Sequence, residues 1–354
     1  MRAFTCGTCG QLLFFENNRC LRCNSRLGFV PSRLDIVVLD DGAQAHGAQA
    51  HGAQGHGANS TLRPCANAVL AQCTWVLEEG DPGPLCFSCR LTRTRPADDD
   101  PDGLAAFAKA EGAKRRLIFQ LLDLGLPIGD DLAFDLLSSR TGPVVTGHND
   151  GLITIDLGES DDARRERRRA ELGEPYRTLL GHFRHEIGHY YWPILVERTD
   201  QLERARVLFA DERIEYEAAL QRHYEQGPPA DWSERYVSSY ATMHPWEDWA
   251  ETFAHYLHIR DTLETAAAFG LVVAGPATAH DESLASAPIT EAADRPFEAI
   301  IDDWLPLTYA LNAINRSMGQ EDLYPFTLAP MVIEKLAFVH DRVRAAAAPP
   351  RVPA

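Results

Sequence analysis

The chain contains no stretch of about 18 uninterrupted apolar residues, so none of it reads as a membrane-spanning helix. Its first residues, Met1-Arg2-Ala3-Phe4-Thr5-Cys6, lack the basic stretch followed by an apolar run that marks a secretory signal. These two absences lead to the expectation of a cytoplasmic protein with no membrane partner. Cysteine does not occur after position 89, which confines thiolate chemistry to the N-terminal quarter of the 354 residues. Positive charge is also short: 34 Lys plus Arg stand against 51 Asp plus Glu, a net charge of −17. Residues 1–97 hold nine Arg against seven acidic residues, or +2, which leaves −19 for residues 98–354. Such a body repels nucleic acid, and a charge of +2 is too small for strong phosphate binding, so nucleic acid is not an expected partner. What remains is a chain with 45% hydrophobic residues, long enough to bury two or three cores.

All eight cysteines fall between positions 6 and 89. Cys6, Cys9, Cys20 and Cys23 form CxxC-x10-CxxC, two knuckles at a separation suited to one tetrahedral zinc ion held by four thiolates. Cys65, Cys73, Cys86 and Cys89 follow with less regular spacing, but one CxxC among four remaining cysteines makes a second four-cysteine site the economical reading. Four thiolates leave no position for water, and short β-ribbons have too little core to fold alone, so both zinc ions are expected to be structural. Between these groups, residues 43–58 run AQAHGAQAHGAQGHGA, a near five-residue repeat with nothing to bury, read as a mobile insertion. Its His46, His51 and His56 are expected on a solvated loop without a fixed metal.

Beyond a Pro- and Asp-rich linker at 96–102 the periodicity becomes helical. The pattern predicts helices over 103–124, 160–172, 175–192, 201–224, 245–258, 291–316 and 328–345, with one clear strand at Leu152-Ile153-Thr154-Ile155-Asp156. The basic run Arg164 to Arg169 follows Glu159, Asp161 and Asp162. That order suits a helix dipole, and a solvated helix face is the expectation.

The chemistry concentrates in His185-Glu186-Ile187-Gly188-His189. Histidines four apart project from one helix face and can share a metal ion, while Glu186 points near the remaining coordination position, where it can act as general base and then general acid. With His185 at 0° and about 100° per residue, His182 and His189 fall within about 60° of it, whereas Leu180, Phe183, Ile187, Tyr190 and Ile194 cluster opposite. The helix thus has a core face and a histidine face, with His182 expected to line the cleft or bond a carbonyl rather than bind zinc.

A catalytic zinc site needs a third protein ligand and an open position for water. Downstream, Pro245 suits a first helical turn, and Glu247 and Glu251 share one face at the border of a stripe made by Trp246, Trp249, Phe253 and Leu257. Glu247 is the favoured ligand, with Glu251 as the carboxylate that accepts a hydrogen bond from a ligating histidine. The reverse assignment stays open, and Glu212 in the segment Asp211 to Glu215 is a competing source.

At this point the chain resembles a known family, the bacterial zinc-binding metallopeptidases that join an N-terminal zinc ribbon to a domain with HExxH. The resemblance covers nearly the whole chain. It rests on CGTCG at 6–10, CLRCN at 20–24, LCFSCRLT at 85–92, HFRHEIGHYYW at 182–192, FADERIEYEAAL at 209–220, HPWEDWAETFAHYLHIRDTLETA at 244–266 and GQEDLYPF at 319–326. The catalytic segment is also similar to that of lethal-factor-like toxin metalloproteases, in which a tyrosine stands seven residues before the ligand glutamate and a second glutamate four after it. Tyr240, Glu247 and Glu251 reproduce that spacing, and the likeness implies that Tyr240 hydrogen-bonds the oxyanion of the tetrahedral intermediate. The low-complexity insertion at 43–58 is the departure from the family pattern.

The expectation is therefore an α+β protein: a zinc-ribbon region at 1–95, a linker at 96–102, a mainly helical zincin-like domain at 103–345 and a disordered tail at 346–354. Its expected activity is peptide-bond hydrolysis by zinc-activated water on a peptide or protein substrate, with one catalytic and two structural Zn2+ ions. The competing function is a catalytically idle zinc protein whose ribbon recognises a partner. The oligomeric state is left open.

Overall fold

The computed structural model describes residues 2–39, 61–140, 142–172, 176–277, 283–288 and 295–347, and the statements below concern those residues. The repeat at 43–58 and most of the C-terminal tail lie outside them.

Short hairpins make up the N-terminal region. Strand β1 (Phe4–Thr5) pairs with β2 (Leu12–Leu13), β3 (Leu27–Val30) with β4 (Asp35–Val38), and β5 (Arg63–Pro64) with β6 (Val76–Leu77), all antiparallel. A single turn of helix, α1 (Phe87–Arg90), carries the last cysteine. These strands are too short to enclose a core of their own. Their rings gather instead on a helix of the next region: Phe15 lies 5.1 Å from Phe29 and 5.1 Å from Phe119, and Phe29 lies 4.7 Å from Trp75. Strand β7 (Thr92–Thr94) then runs out of the ribbon into the second region's sheet.

Phe119 belongs to α2 (Pro101–Asp123), which opens with Pro101 in its first turn and Asp100 accepting the Gly103 N–H at 3.1 Å. The sheet has the order β7-β8-β10-β9, with β8 (Ala133–Leu137), β9 (Gly147–Asn149) and β10 (Leu152–Asp156). Strand β10 is parallel to β8 and antiparallel to the edge strand β9. The turn between β9 and β10 holds Asp150 and Gly151 at φ 45° and 83°, the left-handed pair that a two-residue hairpin requires.

Further helices and a small hairpin complete the fold. In chain order they are α3 (Asp162–Leu172), α4 (Leu179–Trp192), α5 (Leu202–Phe209), α6 (Tyr216–Gln226), α7 (Pro245–Ala268), β11 (Val273–Ala277), β12 (Ser283–Ser286), α8 (Phe297–Ser317) and α9 (Pro330–Ala346). Strands β11 and β12 pair antiparallel. The fold is α+β, a strand-rich N-terminal region followed by a mainly helical one. The basic run lies on α3 and is matched by acids: Arg164 pairs with Asp156 at 3.0 Å, Arg165 with Asp162 at 2.8 Å and Arg169 with Glu166 at 2.7 Å.

Two helices differ from the sequence pattern. The helix expected over 201–224 is split into α5 and α6. Ala210 sits at φ 75°, Asp211 Oδ1 accepts the Arg213 N–H at 3.0 Å, and Arg206 holds Glu212 at 2.6 Å. Local side-chain acceptors here outcompete the helical backbone. Conversely, α7 continues ten residues past 258, because no glycine or proline interrupts it before Gly270.

The centre of the second region is the antiparallel pair α4 and α7. Trp192 lies 5.5 Å from Trp249 at one end, and Arg184 contacts His258 and Asp261 at the other. Helix α2 locks onto both: Gln120 Nε2 donates to the Leu257 carbonyl at 2.7 Å and Gln120 Oε1 accepts from buried Arg184 at 3.1 Å. On the far side, buried Lys335 of α9 pairs with Asp248 at 2.6 Å, donates to the Arg235 carbonyl at 2.7 Å and lies over the Tyr236 ring. This clamps the segment leading to Tyr240 against α7. Among the described residues no helix is long and apolar enough to cross a membrane.

Candidate metal centre

Helix α4 starts cleanly because Thr178 Oγ1 accepts the Gly181 N–H at 2.9 Å. Helix α7 starts with Pro245 in its first turn and with the Nδ1 atom of His244 accepting the Trp246 N–H at 3.1 Å. With both helices fixed, the four-residue spacing brings His185 and His189 of α4 onto Glu247 and Glu251 of α7. His185 Nε2 lies 2.9 Å from Glu247 Oε2, His189 Nε2 lies 3.4 Å from the same oxygen, and the two Nε2 atoms are 3.2 Å apart. Glu251 does not share this point: its Oε1 meets His185 Nδ1 at 2.7 Å and its Oε2 accepts from Ser238 Oγ at 2.6 Å.

The donor set fits a metal ion. With the His185 ring neutral and its Nδ1 proton facing Glu251, Nε2 would present a lone pair toward the same point as a carboxylate oxygen and a second imidazole nitrogen. Three such donors repel one another unless positive charge lies among them. Tetrahedral bonds of about 2.0–2.1 Å would set ligand atoms roughly 3.3 Å apart, close to the separations found.

Around this point stand the groups able to do chemistry. Glu186 is 7% exposed, and burial pushes its carboxyl up from the ordinary value. Tyr240 lies with its ring 5.9 Å from His185, and its hydroxyl is pushed well up by burial and then by the charge of Glu247. The ring of His148 on β9 stacks 6.3 Å from His189, and its Nε2 accepts the Gly151 N–H at 3.0 Å. The other expected neighbours point elsewhere. His182 Nδ1 is 3.7 Å from Glu159, and both oxygens of Glu212 are held by Arg206.

Sequence reasoning did not single out four residues that shape the centre. Tyr216 of α6 donates to Glu247 Oε1 at 2.9 Å, Ser238 supports Glu251, His244 caps α7, and Arg184 buries a charge between α2, α4 and α7. Tyr216 was visible only as part of the segment FADERIEYEAAL, because the break in the helix that aims it leaves no glycine or proline signal.

The cysteines form two separate clusters, Cys6-Cys9-Cys20-Cys23 and Cys65-Cys73-Cys86-Cys89. Sulfur–sulfur distances of 3.6 Å, for Cys6–Cys23, Cys9–Cys20 and Cys73–Cys86, are far from the length of a disulfide, about 2.05 Å. They approach the ~3.75 Å that follows from tetrahedral bonds of about 2.3 Å. Cys89 Sγ also lies 3.7 Å from buried Glu111 of α2, which pairs with buried Lys114 at 2.6 Å.

A family profile described as "Putative zinc-binding metallo-peptidase" matches residues 103–342, and a zinc-ribbon domain profile matches residues 3–100. Uncharacterized proteins of Mycobacterium bovis and Mycobacterium tuberculosis are 51% identical over 348 residues, covering 96% of this chain and 94% of theirs. No solved structure matches the chain. The chain belongs to this zinc-binding metallo-peptidase family, with a zinc-ribbon domain in front of the peptidase region.

Proposed function

We propose that this protein is a zinc-dependent peptidase that hydrolyses peptide bonds, with His185, His189 and Glu247 as the protein ligands of the catalytic ion. The observation that carries the reading is the convergence of His185 Nε2, His189 Nε2 and Glu247 Oε2 within 3.4 Å of one another, beside a buried glutamate. Two histidines and a glutamate leave one position for water or substrate, as a hydrolytic site requires and a closed structural site does not. When bound there, zinc supplies Lewis acidity and makes water a nucleophile near neutral pH.

The chain's own residues supply the rest. Glu186 takes a proton from the attacking water and returns it to the leaving nitrogen; a carboxyl raised by burial is closer to the working pH than an exposed one. Glu251 accepts the Nδ1 proton of His185 and so keeps Nε2 bare. Tyr240 remains protonated and donates to the oxygen that gains charge when the carbonyl is attacked. Strand β9 is the sheet edge beside the centre and carries His148 next to His189, so an extended peptide pairing along it would present its backbone to Glu186. The two cysteine clusters hold structural zinc, and cysteines kept out of disulfides suit a reducing, cytoplasmic setting.

Metal analysis alongside cleavage of a diverse peptide library tests the reading. The purified chain is expected to carry three zinc ions, and His189→Ala to lose one of them together with cleavage. A His189→Ala variant that cleaved at the wild-type rate would overturn it, and wild type that bound three ions but cleaved nothing would favour the idle, partner-binding alternative.

A further inference from the structure

Tyr216 stands apart from the other contacts to the cluster because it reaches Glu247 from α6. We infer that Tyr216 is a positioning residue for the metal centre: its hydroxyl occupies Glu247 Oε1, so that Glu247 offers Oε2 alone to the ion. The inference rests on the reading of Glu247 as a ligand.

The placement of Tyr216 is built, not incidental. It is the first residue of α6, and that helix is capped by Glu215, whose side chain accepts the N–H groups of Glu217 and Ala218 at 3.1 and 2.7 Å. The chain just before it is tied to the start of α7. His244 Nε2 donates to the Ile214 carbonyl at 3.1 Å while its Nδ1 accepts the Trp246 N–H, which fixes its tautomer. Two residues after Ile214 stands Tyr216, and three after His244 stands Glu247. One tie between the helix starts therefore sets the other, the 2.9 Å bond from Tyr216 to Glu247 Oε1. Glu247 is 2% exposed, so water does not readily replace that donor.

The chemistry follows from the two oxygens of a carboxylate. Oε2 faces His185 and His189, while Oε1 accepts from the Tyr216 hydroxyl. Without the hydroxyl, Oε1 is free to turn toward the ion, giving two-oxygen binding that fills the position water and substrate need.

The test is Tyr216→Phe in the full-length protein, stripped at the open site by mild chelation and titrated with zinc against a competing chelator, then with cobalt(II) for its visible spectrum. Phenylalanine keeps the ring contacts to His244 and Trp246, 5.2 and 6.5 Å between centroids, so a purely packing role leaves both measurements unchanged. The expected result is a zinc affinity lower by about 10–100-fold and an altered cobalt spectrum, the scale on which partners of metal ligands act. Glu247→Ala run in parallel separates the two levels. If Glu247→Ala loses the ion and Tyr216→Phe matches wild type in affinity and spectrum, the positioning role is wrong; if Glu247→Ala keeps the ion at wild-type affinity, the ligand assignment beneath it is wrong.

Discussion

Gly188 and Ala250 meet so closely that a β-carbon built on Gly188 would stand 2.9 Å from Ala250 Cα and 3.2 Å from its carbonyl oxygen. The contact is sealed by Trp249, whose Nε1 donates to the Gly188 carbonyl at 2.8 Å. Because Gly188 sits between His185 and His189 and Ala250 between Glu247 and Glu251, this approach sets how near those four side chains come to one another. Gly188→Ala is expected to push α4 from α7, costing about 1–3 kcal/mol from overpacking. Zinc affinity at the open site should fall with it. Denaturant unfolding and chelator competition check the two effects, and unchanged affinity would show that the helix spacing is not what matters.

Glu251 orients His185 without joining the three-donor point. Glu251→Gln removes the charge that favours the Nδ1–H tautomer, so zinc affinity should fall about 10–100-fold, with the folded chain retained. Isothermal titration of the stripped protein measures it. Loss comparable to that of Glu247→Ala would instead make Glu251 a direct ligand.

The second cysteine cluster is predicted to stabilise the helical region as well as the ribbon. Glu111 lies beside Cys89, pairs with fully buried Lys114, bonds Thr92, and belongs to the helix whose Gln120 holds Arg184. Glu111→Ala leaves the Lys114 charge buried with only the Thr92 hydroxyl to bond, without its counter-charge, and should cost about 3–5 kcal/mol. Ribbon and helical region should melt in one transition in wild type, since Phe119 belongs to both cores. Two separate transitions in calorimetry would contradict the shared core.

Glu159 ties the end of the sheet to the start of α4 by accepting from Arg177 at 2.8 and 3.1 Å. Burial raises its carboxyl, but Arg177 and His182 outweigh that and hold it below its ordinary value of 4.5. A lowered folded value means stability that is complete above the unfolded value and lost as pH falls through the folded one. Wild type should therefore lose more stability than Glu159→Gln as pH drops below about 4.5, while at pH 7 the variant is the weaker by about 3–5 kcal/mol. Urea unfolding at a series of pH values checks this. Parallel slopes in the two proteins would rule out Glu159 as the source.

The parts of the centre that lie on long helices were readable from residue order, because a helix fixes the separation of positions four apart. His185 with His189 and Glu247 with Glu251 are such pairs, and the structure brings all four together. Strand β10 was equally legible from its run of β-branched residues. Its neighbours β7, β8 and β9 were not, since strands of three to five residues show too little alternation. Contacts set by a bend were also hidden. Tyr216 reaches Glu247 only because Asp211 and Glu212 bond locally and break the helix, a competition between side-chain and backbone acceptors that leaves no periodic trace.

Glu186→Gln tests the central claim most directly, because it changes one atom of the base and none of the three donors. Zinc content and peptide cleavage are measured on the same preparation. The account predicts wild-type zinc and a rate lower by about 10²–10⁴-fold, the range of a lost general base. Cleavage at the wild-type rate with zinc in place would contradict it.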